Sequence, residues 1–150
     1  MDALDRKILS ELQRDGRLSV TELAERVGLS LSPCHRRVKA LEANGAIRAY
    51  RAQINPASVG LAFSSLVFVT FRDITQSVLR AFEEAVIAIP EITEARRLFG
   101  DPDFMLEVMT KDLPAYQKLY DDRLTALPGV QRLTSTLIMK DVVRDRMFPL

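Results

Sequence analysis

The side chains best placed to do chemistry lie between Ser30 and Lys39, where Ser30, Ser32, His35, Arg36, Arg37 and Lys39 bring together hydroxyls, an imidazole and three cations around Pro33. Donors of this kind bind phosphate oxygens and the acceptor edges of bases, and arginine does so bidentately. At about 100° per residue, Cys34, Val38 and Leu41 share one stripe of a helix. Ser32, His35, Arg36, Lys39 and Ala43 fall on the opposite side, with Arg37 at the border. The stripe must pack inward, which leaves a slim donor-rich face of the width that enters a DNA major groove. Taken alone, an Arg-Arg-x-Lys run is more simply the solvated face of a surface helix; its setting decides for nucleic acid.

In front of it, Ser19 and Glu22 have the spacing of a capping box, and Val20, Leu23, Ala24 and Val27 form one apolar face that Gly28 ends. A four-residue turn over Gly28–Leu31 leads to a second helix, with Ser32 expected as its N-cap, Pro33 in its first turn and Asn44-Gly45 as its stop. Upstream, Leu4, Ile8, Leu9 and Leu12 predict another amphipathic helix ending near Asp15-Gly16, which completes a three-helix core. Downstream, residues 46–52 alternate like a short strand and suggest a wing or an arm, on which Arg48 and Arg51 could touch phosphate or simply keep an edge soluble.

A second constellation sits in the other half. Asp101 and Asp103 follow Gly100 on a loop between two strand-like runs, and Thr134, Ser135 and Thr136 lie on the last strand. A free amino acid needs a carboxylate for its ammonium group and hydroxyl or backbone donors for its own carboxylate. These residues supply both types, although spacing alone favours an ordinary hairpin turn built from Asp and Gly. For catalysis little is present: His35 is the only histidine, and no Cys/His cluster, glycine-rich phosphate loop or nucleophile–base pair occurs. Two carboxylates on one loop are too few for a cation cage. No cofactor, no metal and no enzymatic activity are therefore expected.

The chain has 150 residues, 47% hydrophobic and 27% charged, enough for two small globular domains. Its net charge of +1 is divided unevenly: residues 1–51 carry ten Lys/Arg against seven Asp/Glu, and residues 52–150 carry eleven against thirteen. The basic excess accompanies the helix pair, but it is modest, so tight DNA binding calls for two copies. Cys34, the single cysteine, fits the inner stripe as a small hydrophobe. The N-terminus lacks a basic region followed by an apolar run, as expected of a cytoplasmic protein. Residues 52–71 are uncharged and about as long as a bilayer span, yet Asn55-Pro56, Gly60 and several serines suit a linker and a buried strand.

From Phe63 the apolar period becomes strand-like, and the order β-α-β reads twice, each helix closing on a matching segment, Ile89-Pro90-Glu91-Ile92 and Leu127-Pro128-Gly129-Val130. The compact solution is α+β: a four-stranded antiparallel sheet with two helices on one face, the ferredoxin-like βαββαβ sandwich. With helices on one face only, the strands should alternate; instead Leu66 and Phe68 on one side and Val67, Val69 and Phe71 on the other are all apolar. A second apolar sheet face predicts a homodimer of facing sheets, which would pair the helix-turn-helix units on two half-sites.

The run from Leu29 to Tyr50, L-S-x-S-P-C-x-R-R-V-K-x-L-E-x-x-G-x-I-x-x-Y, the linker with Asn55-Pro56, the βαββαβ pattern and the loop Gly100-Asp101-Pro102-Asp103-Phe104 together resemble the Lrp/AsnC family of transcription regulators. The resemblance covers essentially the whole chain. It implies a sequence-specific DNA-binding regulator with residues 1–50 as a winged helix-turn-helix domain, 51–62 as linker, 63–140 as effector and assembly domain, and 141–150 as tail. It also implies tetramers or octamers built from dimers, an amino-acid effector between dimers near the Gly-Asp loop, and a site on the nucleoid. Where the family commonly has proline after the serine that opens the recognition segment, this chain has Leu31. Two rivals share the fold: a weakly specific architectural DNA-binding protein, and an enzyme resembling siroheme decarboxylases.

Overall fold

Asp2 and Ser19 open two helices by the same device. In the computed structural model, which describes residues 1–150, helix α1 (Ala3–Arg14) starts where Asp2 accepts from the Asp5 N–H and Asp5 reaches back to the Asp2 N–H, both at 2.9 Å. Helix α2 (Val20–Val27) repeats the capping box with Ser19 and Glu22, as its spacing predicts. Each box satisfies backbone donors that a helix start leaves without partners. Gly28, at φ 76°, ends α2 in the left-handed conformation that glycine adopts without steric cost.

Helix α3 (Leu31–Ala43) begins two residues earlier than an N-cap at Ser32 would make it, because the first intrahelical bond runs from the Cys34 N–H to the Ser30 carbonyl. Ser30 is therefore the N-cap, and Ser32 lies in the first turn. Pro33 still costs nothing there, since the first turn's N–H groups have no helical acceptor. The three helices close over Ile8, Leu23, Ala24, Val27, Cys34, Val38 and Leu41, all buried, and Ile8 and Cys34 are fully so. Burial raises the Cys34 thiol pKa, so it stays a protonated, unreactive filler.

Of the two readings for residues 46–52, a wing or an arm, the structure shows the arm: no strand forms there. The Ala46 N–H is taken by the Asn44 side chain and the Ile47 N–H by the Leu41 carbonyl, and no neighbouring strand offers a ladder. Alternation supplies a face, but a strand also needs a partner. The segment is an arm. Residues 142–150 group with residues 1–53 in one compact unit, and residues 54–141 make the other.

The second unit starts with a 3-10 turn, Pro56–Val59, and then strand β1 (Phe63–Phe71), helix α4 (Gln76–Ile87), strand β2 (Ile92–Arg97), strand β3 (Phe104–Thr110), helix α5 (Leu113–Leu119) with a π turn at Tyr120–Leu124, and strand β4 (Val130–Leu137). The sheet order is β2-β3-β1-β4, antiparallel throughout, the arrangement expected for a ferredoxin-like sandwich. Strand ends are shorter than the apolar runs suggest: β2 stops at Arg97 and β4 at Leu137.

The helix-covered face carries Val67, Val69, Phe71, Leu106 and Val108, packed on Phe82, Val86, Tyr116 and Leu119. Phe71, Phe82 and Phe104 meet with ring centroids 4.7–5.7 Å apart, in tilted and edge-on arrangements. On the opposite face Leu66, Phe68 and Met105 are half-buried; Phe68 lies in one row with Met105 and Thr134, and Leu66 in the next with Glu107 and Thr136.

Gly129 has φ 74° where α4 crosses the start of β4, and a Cβ there would meet Val78 Cγ1 at 2.2 Å. Gly28 has a similar φ but open space around it. Gly129→Ala should therefore lower the urea midpoint well beyond Gly28→Ala, which pays only the left-handed backbone cost of about 1 kcal/mol; equal losses would mean that the Val78 contact relaxes freely.

Candidate functional site

The rotation of α3 about its axis decides which donors face outward, and the buried trio Cys34, Val38 and Leu41 sets that rotation. Ser32, His35, Arg36, Lys39 and Ala43 are then all exposed, as are Ser30 and Leu31 at the helix start, while Pro33 is half-buried. The three cations are not equivalent. The Arg37 guanidinium turns back to α1, where it binds Asp2 and Asp5 at 2.7 Å each. Grouping it with the outward donors needs correction: its charge is already held within the chain. Lys39 reaches Glu42 at 2.8 Å along an exposed helix face, a pairing that exchanges easily with solvent or phosphate. Arg36 is exposed and has no ion pair in the chain. It is the free cation in the centre of the outward row.

Asp2 and Asp5 could have been found from their capping-box spacing; their grip on Arg37 could not. Both carboxyls lie below the ordinary carboxylate range, first because each accepts a backbone N–H across the box and then because Arg37 bonds to both. The same bonds raise the arginine.

In the second unit, the loop Gly100–Asp103 joins β2 to β3 at the end of β1. Asp103 is bound into the backbone: its N–H donates to the Val69 carbonyl, its carbonyl accepts from Leu98, and its Oδ2 accepts from the Phe71 N–H at 2.8 Å. Phe71 lies where the β1–β4 register shifts, so its N–H takes a carboxylate as acceptor. Asp103 thus does the turn-building work that Asp and Gly spacing suggested. Asp101 is different. It is exposed, accepts from the Thr70 hydroxyl at 3.3 Å, and faces the Arg132 guanidinium at 3.7 Å. Arg132 also donates to Thr70 at 3.5 Å.

The three hydroxyls of β4 do not converge. Ser135 meets the Tyr116 hydroxyl at 2.5 Å and so lies on the helix-covered face. Thr134 and Thr136, its neighbours along the strand, point to the open face with Arg132. Residues 101, 132, 134 and 136 therefore share one side, Ser135 the other, and Thr70 and Arg132 join a cluster that sequence spacing did not single out.

Residues 1–48 match the family model described as winged helix-turn-helix DNA-binding, and residues 64–148 match that described as the Lrp/AsnC ligand binding domain. The chain belongs to the Lrp/AsnC family. It is a DNA-binding transcription regulator with a ligand-binding domain. Among curated relatives, the proline dehydrogenase transcriptional activator of Rhodobacter capsulatus is 41% identical over 97% of this chain and 94% of its own length. The leucine-responsive regulatory protein of Escherichia coli K12 is 39% identical, over 95% and 87%. A transcriptional regulator of Neisseria meningitidis, solved as a complex with L-Met, superposes with a TM-score of 0.93 at 36% identity, over 99% of this chain and 96% of that one. The chain places a helix-turn-helix before its sheet domain, and no helix in it is long and apolar enough to cross a membrane.

The Arg37 clamp has a pH signature. A carboxyl held below its unfolded value stabilises the fold above that value and loses the contribution as pH falls through the folded one. The helix-turn-helix unit should therefore hold steady at neutral pH and weaken below about pH 4. In urea titrations, Arg37→Ala should start less stable at neutral pH and lose less on acidification, because only the capping-box hydrogen bonds remain. An acid response identical to wild type would show that Arg37 contributes nothing to it.

Proposed function

We propose that this regulator reads a two-fold related operator as a dimer through the outward row of α3, and that a free α-amino acid with an apolar side chain modulates it from the Gly100–Asp103 loop. The observation that carries the first half is the sorting of cations on α3. Arg37 is committed to Asp2 and Asp5, which leaves Arg36 centrally and Lys39 beside it for base edges and phosphate, with Ser32 and the first-turn N–H groups for phosphate. His35 flanks this row.

The dimer reading rests on the uncovered sheet face. Leu66, Phe68 and Met105 form a half-buried apolar patch, with Glu107 beside it, that the helices leave uncovered, and a second copy of the same face would cover it by two-fold symmetry. Two linked half-site readers raise each other's effective concentration, which compensates for the modest charge of one unit. Further association to tetramers or octamers, and a place on the nucleoid in the cytoplasm, belong to the same reading by resemblance to the family.

The effector reading is supported by the loosely paired opposite charges of Asp101 and Arg132. A zwitterion offers an ammonium to the first and a carboxylate to the second, with Thr134 on the same face for a further hydrogen bond. The similar Neisseria meningitidis regulator is known with L-Met bound. Asp103 supports this site by fixing the loop, and Gly100 at φ 133° gives the loop its turn.

Three outcomes test this. Arg36→Ala should weaken operator binding roughly tenfold or more and flatten its salt dependence, measured by fluorescence anisotropy across a salt series, while Arg37→Ala leaves the salt slope unchanged; equal effects would overturn the sorting of cations. Titration calorimetry with L-Met and L-Leu should give heat that Asp101→Ala and Arg132→Ala each abolish, and no heat from any common amino acid would end the effector reading. Sedimentation at micromolar concentration should find a dimer or larger, and a monomer would remove the facing-sheet reading.

A further inference from the structure

The last residues of the chain are an unexpected part of the DNA-binding unit. Gln13, near the end of α1, uses both atoms of its side-chain amide on one residue of the tail: Oε1 accepts from the Phe148 N–H at 2.7 Å and Nε2 donates to the Phe148 carbonyl at 3.4 Å. A primary amide that answers both the N–H and the C=O of one residue imitates a neighbouring strand, because an extended residue presents the two groups on the same side. Pro149 prepares that conformation, since a residue before proline is driven out of the helical region into the extended one. The clamp thereby fixes the register of the tail at Phe148.

Around this clamp lies an open groove of about 810 Å³, walled by Leu9 and Leu12 of α1, by Ile47 and Tyr50 of the arm, and by Phe148 and Leu150 of the tail itself. Its walls are mainly apolar, and Phe148 and Leu150 of the tail form part of them. The wall that holds the clamp is α1, the same helix whose Asp2 and Asp5 grip Arg37 of α3.

We propose that the C-terminal segment Met147–Leu150 is a strap that docks on the face formed by α1 and the arm, read by Gln13, and that it steadies the orientation of the whole DNA-binding unit. The occupant of the face is the chain's own terminus. Because the tail continues from β4, it gives the DNA-binding unit a second covalent tether besides the chain that leads from residue 53 into β1. A unit tethered twice explores fewer orientations, so the strap raises the effective concentration of one half-site reader at its site once the other has bound. The docking itself stands on the clamp geometry; only its effect on operator binding rests on the DNA-reading role.

Hydrogen–deuterium exchange on the full chain tests the docking without DNA. The C-terminal peptide should be protected of order tenfold relative to an unstructured peptide, as two neutral hydrogen bonds provide. Gln13→Ala should remove that protection, Gln13→Glu, which keeps only an acceptor, should remove part of it, and Pro149→Ala should reduce it while leaving α1 unaltered by circular dichroism. Exchange at the unstructured rate in the wild type, or protection indifferent to Gln13, would overturn the strap.

A short bis-maleimide across cysteines introduced by Leu12→Cys and Leu150→Cys should give a product of single-chain mass. A two-chain product would assign the groove to a second copy and overturn the own-tail reading. Removing residues 147–150 should weaken operator binding severalfold with no change for a single half-site duplex. Undiminished operator affinity would overturn the steadying role even where the tail is docked.

Discussion

Everything the DNA-binding unit does depends on one packing constraint: Cys34, Val38 and Leu41 must lie against Ile8, Leu23 and Val27. A helix has one rotation that buries a given stripe, so the apolar trio also dictates which polar side chains face outward. Each of these buried aliphatic groups contributes on the order of 1.5–3 kcal/mol, far more than any of the surface ion pairs nearby. The direction of Arg36 is thus set by residues that never approach DNA. The Arg37 clamp adds a second anchor, locking α3 to the start of α1 and withdrawing one cation from the outward face.

The sheet unit follows a different economy, in which one face is filled and the other is left apolar and open. Helices α4 and α5 cover Val67, Val69, Leu106 and Val108 completely, whereas Leu66, Phe68 and Met105 stay half-buried. At the far end of β1 the chain has to close a hairpin beside a register shift, and Asp103 solves this by lending its carboxylate to a backbone N–H. That leaves Asp101, Thr70 and Arg132 paired only with one another, on the open side of the sheet.

What could be read from sequence was what is local. The Ser19–Glu22 box, the Gly28 stop and the inner stripe of α3 involve residues within a turn or two of one another, and all appear as spacing predicts. The start of α3 was off because Ser30 and Ser32 can both cap, and only the bond from Cys34 to the Ser30 carbonyl chooses between them. The missing wing shows the limit of alternation, which marks a face but provides no ladder partner. Arg37 is bound by residues from the far end of the unit, and Gln13 reads a residue 135 positions away, so neither pairing leaves a trace in spacing. Ser135 could have been separated from Thr134 and Thr136 by strand parity alone.

The central claim is that α3, held by its inner stripe, reads sequence through Arg36. It is tested most directly by anisotropy of a labelled duplex from immediately upstream of the protein's own coding sequence, against a scrambled duplex of the same composition, at fixed near-physiological salt. The account predicts much tighter binding to the native duplex and collapse of the difference in Arg36→Ala. Equal affinity for both duplexes in the wild type, with binding otherwise intact and the same result for other candidate operators, would contradict it and favour a weakly specific architectural role.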